Sequence, residues 1–377
     1  VRRKRLVTHL RINIKKLETY KKSYVSVVRL TMEDGSQGWG QMSTYCADIT
    51  AQIFHRQVAK HALGHIFNEF TDLENLILER EHKYPGSYVL RAIAGLDTAL
   101  WDWLGKKNGL PVTALIGGSP GMLPAYGSSM KRDITPKEEA NRLEKLRDTQ
   151  GFKAFKFRIG SECGRGKDEW EGRTNEIIKV LPRVLGDDVV KLVDANSCYS
   201  ADQAIEIGKA LEDNDITHFE EPCPYWLPDE TKKVTNALKI DVTGGEQDCD
   251  LRIWKDMIDR KIVDIVQPDV MYMGGLSRAL LVADLAHKAN ITCTPHAANL
   301  SLVTMCTMHF LNAIPNAGKY LELSIEGEDY YPWQRDLFLG DPFKVTDGNV
   351  EITDKPGWGV EFNPSWLEKA EYSCSEV

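Results

Sequence analysis

At 377 residues the chain is long enough for a large core and more than one folding unit, and 42% hydrophobic with 27% charged residues is an ordinary globular mixture. A formal charge of −8 leaves no electrostatic footprint for nucleic acid, and no apolar run approaches the ~20 residues that cross a bilayer. Eight scattered cysteines without a Cys-x-x-Cys pair point to reduced, cytoplasmic thiols rather than to a disulfide or zinc framework.

The one dense basic run, Arg2 to Arg5, reads as solvated surface or strand edge, and no secretory hydrophobic region is visible. Residues 5–45 predict antiparallel strands. Leu6 to Leu17 largely alternates, Tyr24 to Met32 is rich in Val, and Asp34-Gly35 offers a hairpin turn before Trp39. Residues 46–118 turn helical, most clearly from Ser87 to Lys107, where Leu90, Ile93, Leu96, Leu100 and Leu104 share a face. Gly109 and Pro111 close that helix. An α+β unit over residues 1–120 thus precedes a second pattern, in which strand and helix alternate.

That pattern starts with a strand at Leu123 to Met130. Thr135-Pro136-Lys137-Glu138 is a capping box with Pro at the first helical position, so a helix follows. Lys153 to Gly160 is the second strand, leading to a helix containing Trp170, Ile177 and Ile178. Ser200-Ala201-Asp202-Gln203 opens another capped helix, and residues 228–238, 250–260, 276–289 and 298–313 are further helices. Tyr320 to Ile325 is the last strand of the repeat. Residues 331–377, with an Asp347-Gly348 turn, exceed a closing helix and are expected to pack back on the first unit.

Within the repeat, short apolar runs end on Asp194, Glu220, Glu246, Asp269 and His296, at intervals of 26, 26, 23 and 27 residues. One strand, one helix and two loops fill such an interval. Polar residues at the carboxyl ends of successive parallel strands lie on the active face of an eight-stranded α/β barrel. Asp194, Glu220 and Glu246 suit Mg2+, which takes oxygen ligands and leaves positions for water and substrate. Any one alone would more often be a surface acid or ion-pair partner; the matched spacing argues otherwise. Asp269 can hold one nitrogen of His296 and make the other a general base. Lys156 and Arg158, at i and i+2, point one way into the mouth, where they could hold a carboxylate or enolate. Arg158 stays protonated and is a poor base. Glu322 could donate a proton to an enolic oxygen if burial raised its pKa. Asn196, two residues past Asp194, could touch metal-bound water or substrate, and Glu221 should face away from the site. Tyr45, Tyr225 and Trp226 are candidate pocket lining. The reaction class is abstraction of a proton alpha to a carboxylate, with the enediolate charge stabilised electrostatically.

The motifs Lys156-Phe-Arg158, Val193-Asp194-Ala-Asn196, Phe219-Glu220-Glu221-Pro222, Gly245-Glu246, Gln267-Pro268-Asp269, His296 and Glu322 resemble the mandelate racemase-like subgroup of the enolase superfamily. So do Ala94-Gly-Leu-Asp97 to Gly105 and Leu115-Ile-Gly-Gly118. The resemblance implies a modified (β/α)7β barrel over residues 121–330, with an α+β capping domain completed by residues 331–377. It also implies capping loops near residues 16–24 and 42–50 that select substrate, and symmetric homo-oligomers. By motif position, Asp194, Glu220 and Glu246 would bind Mg2+, Asp269 and His296 would form the base, Glu322 would be the hydrogen-bonding acid and Lys156 would neutralise the substrate carboxylate. Racemases of this pattern carry Lys where Arg158 stands. The departure favours one-base dehydration of an acid sugar, an aldonate or aldarate, to a 2-keto-3-deoxy acid. A racemase or epimerase is the nearest alternative. A glycosidase using Glu220 or Glu246, or a binding protein without catalysis, fits less well.

Overall fold

Two sheets organise the chain in the computed structural model, which describes residues 10–297 and 299–377; the basic run at Arg2 to Arg5 lies outside them. The first sheet is antiparallel, built from β1 (Ile12–Lys22), β2 (Val25–Met32), β3 (Gln37–Gln41), β4 (Ile66–Phe67) and, from the far end of the chain, β14 (Glu371–Glu376). The order is β14-β1-β2-β3, with β4 against the start of β1. Apolar residues of β1 and β2, such as Leu17, Val27 and Leu30, are buried. They pack toward the helix Ser87–Asn108, which is buried along most of its length and ends on left-handed Gly109. Contact between β3 and that helix is close because Gly38 and Gly40 carry no side chain: a Cβ on Gly40 would stand 2.6 Å from Thr98 Oγ1. Asp102 ties this layer together, accepting from Trp39 N at 2.8 Å, Trp358 N at 3.0 Å and Lys106 Nζ at 2.6 Å.

The second sheet holds eight parallel strands: β5 (Gly121–Ser128), β6 (Ala154–Arg158), β7 (Val190–Asp194), β8 (His218–Glu220), β9 (Asp241–Gly244), β10 (Ile265–Val266), β11 (Thr292–Cys293) and β12 (Leu321–Ser324). They follow one another in chain order, and β12 returns to pair with β5. The ring closes just before β12, where Cys293 N donates to Asn316 O and Gly318 N to Cys293 O, each at 2.9 Å. β13 (Asn349–Ile352) runs antiparallel along the outer end of β5. Helices of the alternating pattern follow β5 through β11, and both anticipated capping boxes form, at Thr135 with Glu138 and at Ser200 with Gln203. One helix starts later than its sequence suggests. It spans Arg173–Leu185, and Trp170 precedes it, because Gly172 in the left-handed region cannot extend the turn backward; the Trp170 ring lies 5.3 Å from the Arg173 guanidinium instead. Among the described residues no helix is long and apolar enough to cross a membrane.

Candidate active site

The charged residues singled out by spacing gather at the carboxyl ends of the parallel strands. Arg158, Asp194 and Glu220 are register neighbours across β6, β7 and β8, so strand pairing alone sets three charges in a row ~5 Å apart. Glu246, Asp269 and His296 stand on the short segments just beyond β9, β10 and β11, and Glu322 lies within β12. All seven side chains are buried.

Lys156 is wholly enclosed and sits beneath the mouth rather than in it. Its Nζ donates to Glu220 Oε1 and Oε2 at 2.7 and 2.8 Å, and lies 2.7 Å from Glu322 Oε1 and 3.6 Å from Asp194 Oδ2. Burial works against the ammonium, but Glu220 and Glu322 outweigh it and hold its pKa well above the ordinary range. Burial also raises Glu220, and repulsion from Asp194, Glu322 and Glu246 adds to it; against the pull of Lys156 the carboxyl is pushed up to about 8. Glu322 behaves oppositely to expectation. Burial would raise it, but Lys156, His296 and the Ala297 N–H at 2.9 Å hold its pKa below the usual carboxylate range. With Ser128 Oγ donating at 2.8 Å as well, Glu322 is an ionised acceptor here, not a proton donor.

His296 is held from both sides. Nδ1–H donates to Asp269 Oδ2 at 2.7 Å, and Nε2 lies 3.2 Å from Glu246 Oε2. Burial lowers its pKa, but Glu246 and Asp269 raise it further, to about 10. In this arrangement, with Glu246 at Nε2, the ring carries a proton that it has to release before it can serve as the anticipated base. Asp269 is itself fixed, since its Oδ1 caps the short helix Val270–Met273 by accepting from Met271 N and Tyr272 N at 2.7 and 3.0 Å. Tyr272 stands beside the imidazole, ring centroids 6.1 Å apart, with the Arg91 guanidinium 3.5 Å above its own ring.

Arg158 is clamped. It donates to Asp194 and to Asn196 Oδ1 through Nη1, to Ser129 O through Nε at 3.2 Å and to Met130 Sδ through Nη2 at 2.9 Å. Burial opposes its charge, but Asp194 and the other carboxylates overcome it and raise its pKa. Asn196 faces protein rather than open space. Its Oδ1 accepts from Arg158 and from Arg132, both at 2.7 Å, while its backbone N donates to Asp194 Oδ1 at 2.7 Å. Glu221 does not turn outward. Its left-handed backbone, φ 41°, breaks the strand alternation and leaves the carboxyl buried with Oε1 unpartnered among the described residues. Burial, then Glu246, Asp194 and Glu220, hold it well above the usual range.

Of the anticipated capping loops, most of residues 16–24 is strand β1, which leaves only the turn at Ser23 and Tyr24. Tyr24 lies 6.3 Å from Tyr45 and 6.0 Å from Trp333, ring to ring. Tyr45 is half-exposed. Burial and the negative groups Glu246 and Asp269 raise its hydroxyl pKa, with Arg158 opposing, so the ring stands within the electrostatic reach of the mouth. Tyr225 and Trp226 are exposed and stack edge-on at 5.2 Å; Trp226 lies near Gly164, and Tyr225 lines a small cavity shared with Glu221. Arg132, Ser128, Ser129, Gln267 and Tyr272 belong to the site but were not assigned parts from sequence. For the first three the signal was their place at the end of the first barrel strand.

Asp194, Glu220 and Glu246 are each turned onto a cation, Arg158, Lys156 or His296. Accordingly, among the described residues no three His, Cys, Asp or Glu groups converge as a finished metal set. The donor chemistry nevertheless fits a divalent cation. Asp194, Glu220, Glu221, Glu246, Asp269 and Glu322 crowd together against three permanent cations, Lys156, Arg158 and, at the edge, Arg132, and Glu221 Oε1 is orphaned.

Two family models cover most of the chain: "Mandelate racemase / muconate lactonizing enzyme, N-terminal domain" over residues 5–117 and "Enolase C-terminal domain-like" over residues 138–366. A candidate racemase from Roseobacter denitrificans superposes with a TM-score of 0.96 at 58% identity, covering 97% of this chain and 100% of that one. A mandelate racemase/muconate lactonizing protein from Paracoccus denitrificans, complexed with magnesium, gives 0.87 at 28% identity, covering 97% and 98%. The arabinonate dehydratase of Saccharolobus solfataricus is 28% identical over 93% of this chain and 91% of its own length. The D-galactarolactone cycloisomerase of Agrobacterium fabrum is 30% identical over 73% and 72%. With its barrel, its cap and the order of its motifs matched along almost the whole length, the chain belongs to the enolase superfamily, in the mandelate racemase-like subgroup.

Proposed function

We propose that this protein is a divalent-metal-dependent dehydratase of acid sugars, converting an aldonate or aldarate to a 2-keto-3-deoxy acid. One observation carries the choice of dehydration: the site offers a single group able to move a proton at the alpha carbon. His296 Nδ1 is committed to Asp269, so Nε2 is the atom that takes and returns the proton. Arg158, opposite, is saturated with acceptors and raised in pKa, and cannot serve as a second base. Asp194, Glu220 and Glu246 would hold Mg2+, which when bound supplies the positive charge that stabilises the substrate carboxylate as it becomes an enediolate.

His296 Nε2 removes the alpha proton, and the resulting imidazolium gives it to the departing beta hydroxyl, so water leaves and an enol remains. Tautomerisation of the enol yields the 2-keto-3-deoxy acid. Lys156 does not reach substrate in this arrangement; it holds Glu220 and Glu322 in place. Glu322, enclosed beside Lys156, accepts hydrogen bonds from Ser128 Oγ and Ala297 N. The named relatives that act on arabinonate, gluconate and xylonate support this substrate class. A racemase or epimerase is the second reading, favoured by the candidate racemase that is 58% identical. Incubation of the magnesium-loaded protein with aldonates and aldarates in D2O, followed by NMR, separates the two. A 2-keto-3-deoxy product supports dehydration; deuterium at the alpha carbon without elimination supports racemisation. Assembly into a symmetric homo-oligomer belongs to the same proposal and is read by light scattering.

A further inference from the structure

Arg132 lies between β5 and the helix Pro136–Gln150, at the rim of the barrel. Its guanidinium is anchored twice, by Nε to Gly160 O at 3.1 Å and by Nη2 to Asn196 Oδ1 at 2.7 Å. The Asn196 oxygen also accepts from Arg158 Nη1 at 2.7 Å, so two guanidinium groups stand side by side at one atom. They are not equivalent. Arg158 is buried, ion-paired with Asp194 and engaged at all three of its nitrogens. Arg132 is half-buried and has no ion-pair partner among the described residues, and its two anchors leave donors free on a group that carries five. A half-buried cation next to another cation is unfavourable unless an anion completes it. Partial burial and then Arg158 work against its charge, and the pull of Asp194 does not make up the difference.

The position of Arg132 fits a distal group of the substrate. Arg132 reaches from the end of β5 across to Asn196, beyond β7, whereas His296 is held by residues beyond β9 and β10 on the other side of the ring. A molecule whose first carboxylate meets the Asp194, Glu220 and Glu246 group, with its alpha carbon at His296, would extend its other end toward Arg132. We propose that Arg132 forms a subsite for a second anionic group on the substrate, so that the protein prefers dicarboxylic over monocarboxylic sugar acids. This rests on the acid-sugar reading above. A phosphoryl group at the far end of an aldonate would satisfy the same donors and forms its own arm of the test.

The experiment compares three substrate classes of matched configuration (aldarates, aldonates and terminally phosphorylated aldonates) on the wild-type chain, Arg132→Met and Arg132→Lys. Both turnover and calorimetric binding are read. The wild type should bind and process an aldarate, or in the other arm a phosphorylated aldonate, at least 10-fold better than the plain aldonate. Arg132→Met should cut that class about 100-fold and the plain aldonate by a much smaller factor, so that the wild-type preference is lost, as expected for a lost charged hydrogen-bonding partner. Arg132→Lys should retain part of the preference. Equal losses on all classes would reduce Arg132 to a support for Asn196 and overturn the subsite, as would a wild type that favours plain aldonates. If no sugar acid is turned over, the dehydratase reading fails. The binding comparison still decides the subsite, because a preference for two anionic groups that disappears in Arg132→Met does not require turnover.

Discussion

Replacing Lys156 with Met should destabilise the protein in a strongly pH-dependent way. The ammonium is fully enclosed and 2.7 Å from both Glu220 and Glu322. At an effective dielectric of ~20, each such pair carries about 6 kcal/mol of attraction. Desolvation of the charges offsets most of this, and stripping one partner from a buried pair costs about 3–5 kcal/mol. Met is close in length, so little of the loss comes from packing. The carboxyls left behind can escape the penalty only by binding protons. Glu220 is already pushed up to about 8 with Lys156 present, and without it the pKa rises further. A carboxyl whose pKa is raised by folding keeps a proton that the unfolded chain has released. Stability therefore falls as pH climbs from the ordinary carboxylate range through the raised value. The variant should lose about 1–2 kcal/mol at pH 5.5 and the full 3–5 at pH 8.5. Urea unfolding of both proteins in EDTA, followed by circular dichroism, measures the difference. A loss below ~1 kcal/mol at pH 8.5, or one identical at both pH values, would refute the claim that Lys156 compensates the Glu220 and Glu322 charges.

Asp269→Asn should preserve the cap on the helix Val270–Met273, because the amide oxygen can still accept from Met271 and Tyr272, but it sets an amide N–H against His296 Nδ1 and should cost about 1–3 kcal/mol of stability. It removes the charge behind His296, so kcat/KM for the dehydrated acid sugar should fall by roughly 10²–10⁴-fold; an unchanged value would argue against the dyad. Titrating Mg2+ into EDTA-treated protein should raise the melting temperature, by about 2.7 kcal/mol of added stability at 100 times Kd. Asp194→Asn and Glu246→Gln should lose that response, while Arg132→Met keeps it. Gly40→Ala would bring a methyl to 2.5 Å from Ala99 N and 2.6 Å from Thr98 Oγ1, and should cost about 1–3 kcal/mol in thermal unfolding, with the stabilisation by added metal retained.

The intervals between Asp194, Glu220, Glu246, Asp269 and His296 led to the barrel because each strand–helix unit consumes a similar length of chain, and side chains at matching strand ends meet whatever lies between them. The caps at Thr135 and Ser200 were equally legible, being set by residues three apart. Partner choice was not. Nothing in the spacing shows that Lys156 would be drawn below the mouth onto Glu220 and Glu322, or that Glu322 would be lowered rather than raised in pKa. Those outcomes depend on which charges share the enclosed volume. Glu221 and Asn196 escaped a reading by alternation because both take left-handed backbone conformations just past a strand end, where the period of two no longer holds. Arg132 sits on an irregular segment, and its two anchors, Gly160 and Asn196, belong to other loops.

Pairing of β14 with β1 has a consequence for the order in which the molecule is made. Tyr372 donates to Glu18 at 2.8 Å across 354 positions of chain, and β1 and β14 are registered from Lys16–Glu376 to Lys21–Glu371. At ~5–20 residues per second on the ribosome, β1 and its hairpin partner wait tens of seconds with one edge bare before the covering strand is synthesised. Open edges recruit other chains. Lys15, Lys16, Lys21 and Lys22 all fall within β1, so the edge that waits longest is charged heavily enough to repel another copy of itself. Glu371 and Glu376, on the late strand, have the opposite sign and settle opposite Lys21 and Lys16. The lysines that deter intermolecular pairing during synthesis thus also favour the correct strand when it arrives.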